Sequence, residues 1–389
     1  MYPSNGPQKF RSRGICLSDV MFAEKEICLS INSRTKFEKH FKVKLYGLMA
    51  HGRFDNPVVA ALAGVKDFFG KQDLAYRLTD QDRADDLTVV ITGANSGLGF
   101  GLAVDFASRG ARVIMAGRSD IPKAGEEVKR LSGSSSVEMR FVDLSKINTI
   151  HSFCEGLVKD EVTIDRLVLN AGVALPGSRK TESGLEEMFL VNYLSSVILS
   201  SRLLTEGVIP NHTYHGDPPG RMAQMVIISS DSHQGASAID FEQFGKYEEY
   251  GVKKGINYYS YYKLVLNTFA TEMSRRLMLV DGKPDVSVNV ICPGPVNSNI
   301  VKEAPWMLRT VLKGIFSLVF RSPRVAAKPV VYMCLSKDFE GSTNEYLHMF
   351  NPKRMDEKVY LNDDGKKLWL ESNRVWMEHD PQAEEYILN

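Results

Sequence analysis

Strands alternating with helices predict an α/β fold: a doubly wound parallel sheet of about seven strands with helices on both faces. Three observations carry that prediction. Short β-branched runs recur with helix-length stretches between them. Several of these runs are continuously apolar, as strands covered on both faces must be. The first run ends in a glycine-rich turn, and sheets of this type bind ligands at the carboxyl ends of their strands.

The first strand is "TVVITG", beginning at Thr88, and the stretch Leu98–Arg109 follows it with helical character. "RVIMAG" (112–117) and "VEMRFVD" (137–143) are the next two strands, and a helix is expected over 145–159. "DRLVLNAG" (165–172) precedes a helix over 184–205, and "QMVIISS" (224–230) precedes a long helix from Ile256 to Leu277. "VSVNVICPG" (286–294) closes the series. Right-handed crossovers between parallel strands then force the doubly wound arrangement. The residues before Thr88 have a different character. Residues 1–35 form a polar, poorly patterned leader, and "VVAALAGVKDFFG", within Phe41 to Leu78, places apolar residues at helical spacing. Residues 1–86 are therefore expected to be an N-terminal extension, partly disordered and then helical, ahead of one domain over 87–380.

Composition excludes several classes. The 389 residues are 43% hydrophobic and 24% charged, with a net charge of +1 and no long basic run, which argues against nucleic acid as partner. Five scattered cysteines without CxxC spacing suggest neither a disulfide framework nor a metal centre, and favour a reducing, cytoplasmic location. No stretch reads as the ~20 apolar residues of a membrane span. Polar residues interrupt "VMFAEKEICLSI", so no secretory signal is expected, and the sequon at Asn211 reads as incidental.

The turn "TGANSGLG" (92–99) stands between the first strand and its helix. Gly93 permits a tight turn, while Gly97 and Gly99 let backbone approach a pyrophosphate and let the helix pack on the strand. Asn95, Ser96 and Leu98 belong to the same cofactor-binding turn. The spacing is G-x3-G-x-G, and its place after the first strand makes it a nucleotide site. The second strand ends in "AGRSD". An acid there would bind a ribose 2′-hydroxyl, whereas Arg118 suits a 2′-phosphate, which favours NADP(H) over NAD(H). The competing reading of Arg118 is a solvated surface residue. Asp143 either accepts from an adenine amino group or caps the helix starting near Ser145. In "LNAG", Gly172 allows close approach of a cofactor, and Asn170 ties adjacent strands together.

The segment "YYSYYK" (258–263) carries four phenols and one amine. At 100° per residue, Tyr259 shares a helix face with Lys263, while Tyr258, Tyr261 and Tyr262 lie about 140°, 160° and 100° away. An ammonium favours an ionised phenol, so Lys263 is expected to draw the Tyr259 pKa down toward working pH, as acid/base chemistry needs. The other three tyrosines are packing or substrate-pocket aromatics. Ser230, ending the fifth strand, could bond both a substrate carbonyl and that phenol; Ser229 competes with it, and either could be a turn cap.

These motifs together, TGxxxGxG (92–99), NAG (170–172), Asn192 in "VNY", "ISS" (228–230), Tyr-x3-Lys (259–263) and "PGPV" (293–296), resemble the short-chain dehydrogenase/reductase family in order and spacing over about residues 87–350. "SSDSHQGASAIDFEQF", "SPRVAAKPVVYMC" and "EYLHMF" are similar to its retinol dehydrogenase and WW-domain oxidoreductase group, while the leader and the inserted "PNHTYHGDPPGR" depart from it. The resemblance implies a Rossmann fold and a reversible carbonyl/alcohol oxidoreductase. It makes Tyr259 the proton donor or acceptor, with Lys263 lowering its pKa and holding the nicotinamide ribose. Ser230 would orient the substrate, and Asn192 would support a water-linked proton path. Pro293, Gly294 and Val296 would contact the cofactor, and Ser298 stands where the family has a threonine contacting the nicotinamide amide.

"PWMLRTVLKGIFSLVF" (305–320) has one apolar helix face, at 308, 311, 312, 315, 316 and 319. As the lid the resemblance implies, it suggests a lipophilic substrate such as a retinoid, steroid or fatty aldehyde, and it is also suited to peripheral membrane contact. A homodimer is a further open reading. The alternatives are an NADP-binding regulatory scaffold with little turnover, and an NAD-dependent alcohol dehydrogenase on the same fold. A sugar-nucleotide epimerase is disfavoured by the glycine spacing.

Overall fold

A computed structural model describes residues 78–216, 220–294, 296 and 322–388. The helices expected before Leu78, Ser298 and the apolar stretch 305–320 lie outside the described residues.

Among the described residues, eight strands form one sheet in the order β3-β2-β1-β4-β5-β6-β7-β8. They are β1 (Thr88–Thr92), β2 (Arg112–Gly117), β3 (Val137–Phe141), β4 (Arg166–Leu169), β5 (Gln224–Ile228), β6 (Ser287–Cys292), β7 (Tyr346–His348) and β8 (Asn351–Pro352). The first seven pair in parallel, and the two-residue β8 folds back antiparallel on β7, which accounts for the strand beyond the expected seven. The order reverses at β1, which has β2 on one side and β4 on the other. That reversal opens a crevice at the carboxyl ends of the strands.

The helices are α1 (Gly97–Ser108), α2 (Lys123–Ser132), α3 (Ile147–Lys159), α4 (Glu187–Thr205), α5 (Val252–Arg276), α6 (Pro323–Leu335) and α7 (Asn362–His379). Period-two alternation along the strands feeds two separate cores. Val90, Ile114 and Leu167 point to the layer of α3, α4, α5 and α7, while Val89, Ile91, Val113 and Val168 point to that of α1, α2 and α6. On this second face α1 and α6 approach closely, because a Cβ on Gly101 would come within 2.5 Å of the Pro323 carbonyl.

Two sequence readings need correction or extension. Helix α4 is long and apolar enough to pass for a membrane span, contrary to the reading that no stretch approaches one, yet 94% of its apolar window is buried inside the fold. It is the central core helix of its layer. The packed unit also runs past residue 380: Trp369 of α7 stacks on Phe269 of α5 at 5.6 Å and donates from Nε1 to the Leu388 carbonyl at 2.9 Å. Asn211 of the sequon is fully buried, its amide donating to the carbonyls of Leu204 and Ile209, so it is no surface acceptor in the folded protein.

Candidate active site

The crevice at the strand reversal measures about 450 Å³. Its floor begins at the turn after β1, where Gly93 (φ +65°) and Gly97 (φ +57°) adopt left-handed backbone that side chains resist. Asn95, Ser96 and Leu98 line it beside them. Ser96 caps α1 without any side-chain hydrogen bond, and no acidic residue occupies the first turn. The helix therefore presents its unpaired N–H groups and positive dipole end to the crevice. Gly99 sits behind this wall. A Cβ there would fall 2.5 Å from the Gly93 carbonyl and 2.6 Å from Asn170 Nδ2, so the glycine exists for close helix–strand packing. Asn170 itself donates to the carbonyls of Thr92 (2.8 Å) and Gly93 (3.3 Å), tying the end of β4 to the end of β1.

At the far side Arg118 and Ser119 follow β2, and Asp143 follows β3. The Arg118 guanidinium is half exposed and stands 3.7 Å from Asp143. Asp143 accepts from the Ser145 amide (3.1 Å) and hydroxyl (2.7 Å) in a turn ahead of α3, whose N-cap is Lys146 with no side-chain cap hydrogen bond, so Asp143 lines the crevice without capping the helix. Asp120, with φ +60°, lies beyond the crevice wall.

The opposite wall carries the reactive groups. Ser229 and Ser230 follow β5, Tyr259 and Lys263 come from α5, and Cys292, Pro293, Gly294 and Val296 follow or end β6. One turn of α5 separates Tyr259 from Lys263, whose Nζ is 5.8 Å from the tyrosine ring centroid. The Ser230 side chain lies beside Tyr259 on this wall. Lys263 donates to the Ile228 carbonyl at 2.7 Å and is almost fully buried. Ser230 Oγ also accepts from the Ser232 amide at 3.3 Å, while the Ser229 hydroxyl is buried without a partner. Tyr258, Tyr261 and Tyr262 instead line a separate cavity of about 310 Å³, where Tyr258 and Tyr262 stack at 5.8 Å.

Electrostatics correct one expectation. Burial raises the Tyr259 pKa above that of a free phenol, the neighbouring Cys292 adds to the rise, and the Ser230 hydroxyl only partly opposes it. Burial likewise lowers Lys263 to about 8. Desolvation, not the charge of Lys263, sets the direction of the Tyr259 shift. Tyr259 is a neutral phenol here.

Asn192 does not line the crevice. It lies in a π-helical turn of α4 (Leu190–Leu194), accepts from the Val173 amide at 2.7 Å and donates to the Val173 carbonyl at 2.8 Å. It pins the segment after β4, which forms the crevice wall. Its Oδ1 would lie 3.5 Å, and Lys263 Nζ 3.8 Å, from a Cβ on Gly172. Cys292 and Ser119 line the crevice although sequence reasoning passed over them; each adjoins a motif it did single out.

A doubly wound sheet bringing an uncapped helix end and a lysine-flanked phenol to one rim has the architecture of the nicotinamide-dependent oxidoreductases. Residues 87–231 match the family model for short chain dehydrogenase. Retinol dehydrogenase 14 of Mus musculus is 32% identical over 302 residues, covering 72% of this chain and 83% of that protein. Polyprenol dehydrogenase of Homo sapiens is 28% identical over 292 residues, covering 74% and 84%. The Pseudomonas aeruginosa RhlG/NADP active-site complex shares the fold with a TM-score of 0.51 at 20% identity, over 72% of this chain and 100% of that one. The chain belongs to the short-chain dehydrogenase family, close to the retinol dehydrogenases, and is an NAD(P)-dependent dehydrogenase/reductase.

Proposed function

We propose that this chain interconverts a lipophilic carbonyl and its alcohol with NADP(H), Tyr259 serving as the acid/base. The observation carrying this reading is the convergence of Ser230, Tyr259 and Lys263 on the crevice that holds the Gly93–Gly97 turn. The chain's own residues fit a dinucleotide. The uncapped end of α1 suits a pyrophosphate, Gly172 keeps the wall low beside Lys263, and Arg118 offers a guanidinium to a 2′-phosphate. A bound nicotinamide would supply or accept the hydride.

Ser230 Oγ already accepts from Ser232, so its own proton is free to point at a substrate oxygen. Tyr259, kept neutral by burial, is set to donate its proton to that same oxygen as a carbonyl is reduced. Lys263 then stabilises the phenolate left behind. In the alcohol direction the same groups act in reverse. Asn192 holds the wall through Val173.

The relatives named for retinol and polyprenol, both lipophilic alcohols, support a lipophilic substrate. So does the apolar face of 305–320, for which a lid role and a peripheral membrane contact are proposed together. Flotation with liposomes, with and without those residues, tests the membrane contact. The function is tested by NADPH and NADH oxidation against all-trans-retinal, decanal, a steroid ketone and a short polar aldehyde. NADPH with the lipophilic carbonyls is expected to be fastest. Tight cofactor binding without turnover on any carbonyl would overturn the proposal in favour of a binding scaffold.

A further inference from the structure

The serine that points into the crevice is held from behind by groups that do not line it. Directly after Ser230 the chain forms a 3-10 turn, Asp231–Gly235. The Ser230 carbonyl receives two hydrogen bonds from one residue, the His233 amide at 3.1 Å and His233 Nδ1 at 2.7 Å. On the other edge of the ring the Asp356 amide, which can only donate, meets Nε2 at 3.2 Å. Nε2 is therefore an acceptor and the proton sits on Nδ1, so geometry alone selects one neutral tautomer. The ring is fully buried and lies edge-on to Tyr346, with centroids 5.5 Å apart.

Asp231 anchors the other side of the turn. Its Oδ1 accepts from the Tyr346 hydroxyl at 2.9 Å and its Oδ2 from Lys353 Nζ at 2.5 Å, with His348 Nδ1 3.5 Å away. The peptide bearing Ser230 is thus tied to β7, to Lys353 just after β8 and to Asp356, more than 110 residues further along the chain. Ser230 Oγ keeps its bond to the Ser232 amide only while this turn holds its shape. Without the clamp the peptide between Ser230 and Asp231 could rotate, and the hydroxyl would lose its aim.

We propose that His233 is a positioning residue for the reaction: held at Nε2 by Asp356 and donating from Nδ1 to the Ser230 carbonyl, it orients the Ser230 hydroxyl toward the reacting oxygen. This rests on the role given to Ser230 above.

The test uses the full chain with NADPH and decanal, measuring kcat, KM, NADPH Kd and Tm. His233→Asn places an amide nitrogen where Nδ1 stands and keeps the donor; His233→Leu keeps only bulk. His233→Leu is expected to lower kcat about 10–100-fold with NADPH Kd within about twofold, the scale of a small misplacement at a reacting centre. His233→Asn is expected to return kcat to within about threefold of wild type. In a Ser230→Ala background, His233→Leu is expected to cost less than about threefold more, because residues acting through one group are not additive. If the leucine variant does not fold, His233→Gln, which lacks the short reach to Ser230, replaces it with the same expectations. The proposal is overturned if kcat merely follows Tm through all variants including asparagine. Wild-type kcat in His233→Leu, or its full loss repeated on Ser230→Ala, overturns it too. Ser230→Ala turning over like wild type would overturn the assigned serine role first, and this inference with it.

Discussion

Replacing Gly99 by alanine probes the packing on which the cofactor turn depends. The added Cβ would stand 2.5 Å from the Gly93 carbonyl oxygen, 2.6 Å from Asn170 Nδ2 and 2.9 Å from Ala94 Cα. These separations fall up to about 1 Å short of the ~3.5 Å at which such atoms attract. Two of the atoms are backbone, and the third is the amide that ties β4 to β1, so none can swing aside. Overpacking of this kind costs about 1–3 kcal/mol, whereas alanine gains at most about 1 kcal/mol over glycine in a helix, so steric cost wins. The expected net loss is about 1–2 kcal/mol, with weaker NADPH binding because the displaced atoms belong to the turn itself. Gly125 in α2 is the internal control: its Cβ would meet only Met139 Cβ, at 3.5 Å, an ordinary contact. Gly125→Ala should therefore gain about 0.5–1 kcal/mol and leave cofactor binding untouched. Urea denaturation and NADPH fluorescence titration of both variants read the difference. Equal stability of the two variants, or wild-type NADPH affinity in Gly99→Ala, would refute the packing account.

Arg118→Ala is expected to weaken NADPH binding about tenfold or more and leave NADH nearly unchanged, since a charge-assisted bond to a 2′-phosphate is lost in one case only. Equal weakening of both cofactors by titration would contradict the Arg118 assignment. Because burial lowers Lys263 to about 8, reductive kcat/KM of the wild type is expected to fall above that pH as the ammonium is lost, and Lys263→Met should abolish that dependence. A profile unchanged by the substitution would assign the titration elsewhere. The stability sign is opposite. Between about pH 8 and 10.5 the unfolded chain holds the lysine proton and the folded one does not, so the destabilising contribution of Lys263 is relieved as pH rises through that window. Urea midpoints of wild type and Lys263→Met across that range measure it, and a difference that does not change would contradict the shift.

Much of the architecture could be read because parallel strands carry their own signature. "TVVIT", "RVIMAG" and "SVNVIC" are short, apolar and bounded by turns, and all three are strands. Helix α2 was missed because "KAGEEVKRLS" buries only Ala124, Gly125 and Val128, too thin a stripe to register as a periodic face. Helix α7 did offer a signal, Leu368, Trp369, Ser372, Val375 and Trp376 at spacings of one, three and four, and could have been found. In the site, helical arithmetic separated Tyr259 from its three neighbours, which the fold sends to a different cavity. What sequence could not supply was dielectric environment. The spacing of Tyr259 and Lys263 suggested a lowered phenol pKa, but desolvation is a property of the whole fold and it prevails. The clamp behind Ser230 was equally invisible, since Asp231 and His233 find partners only after β7 and β8 are in place.

The central claim is that the Tyr259 hydroxyl carries the proton. Tyr259→Phe removes that one oxygen and keeps the ring. With NADPH and a lipophilic aldehyde, kcat is expected to fall at least about 10³-fold while NADPH Kd stays within about twofold, the signature of an interaction made only in the transition state. A phenylalanine variant that reduces the aldehyde at the wild-type rate would contradict the account.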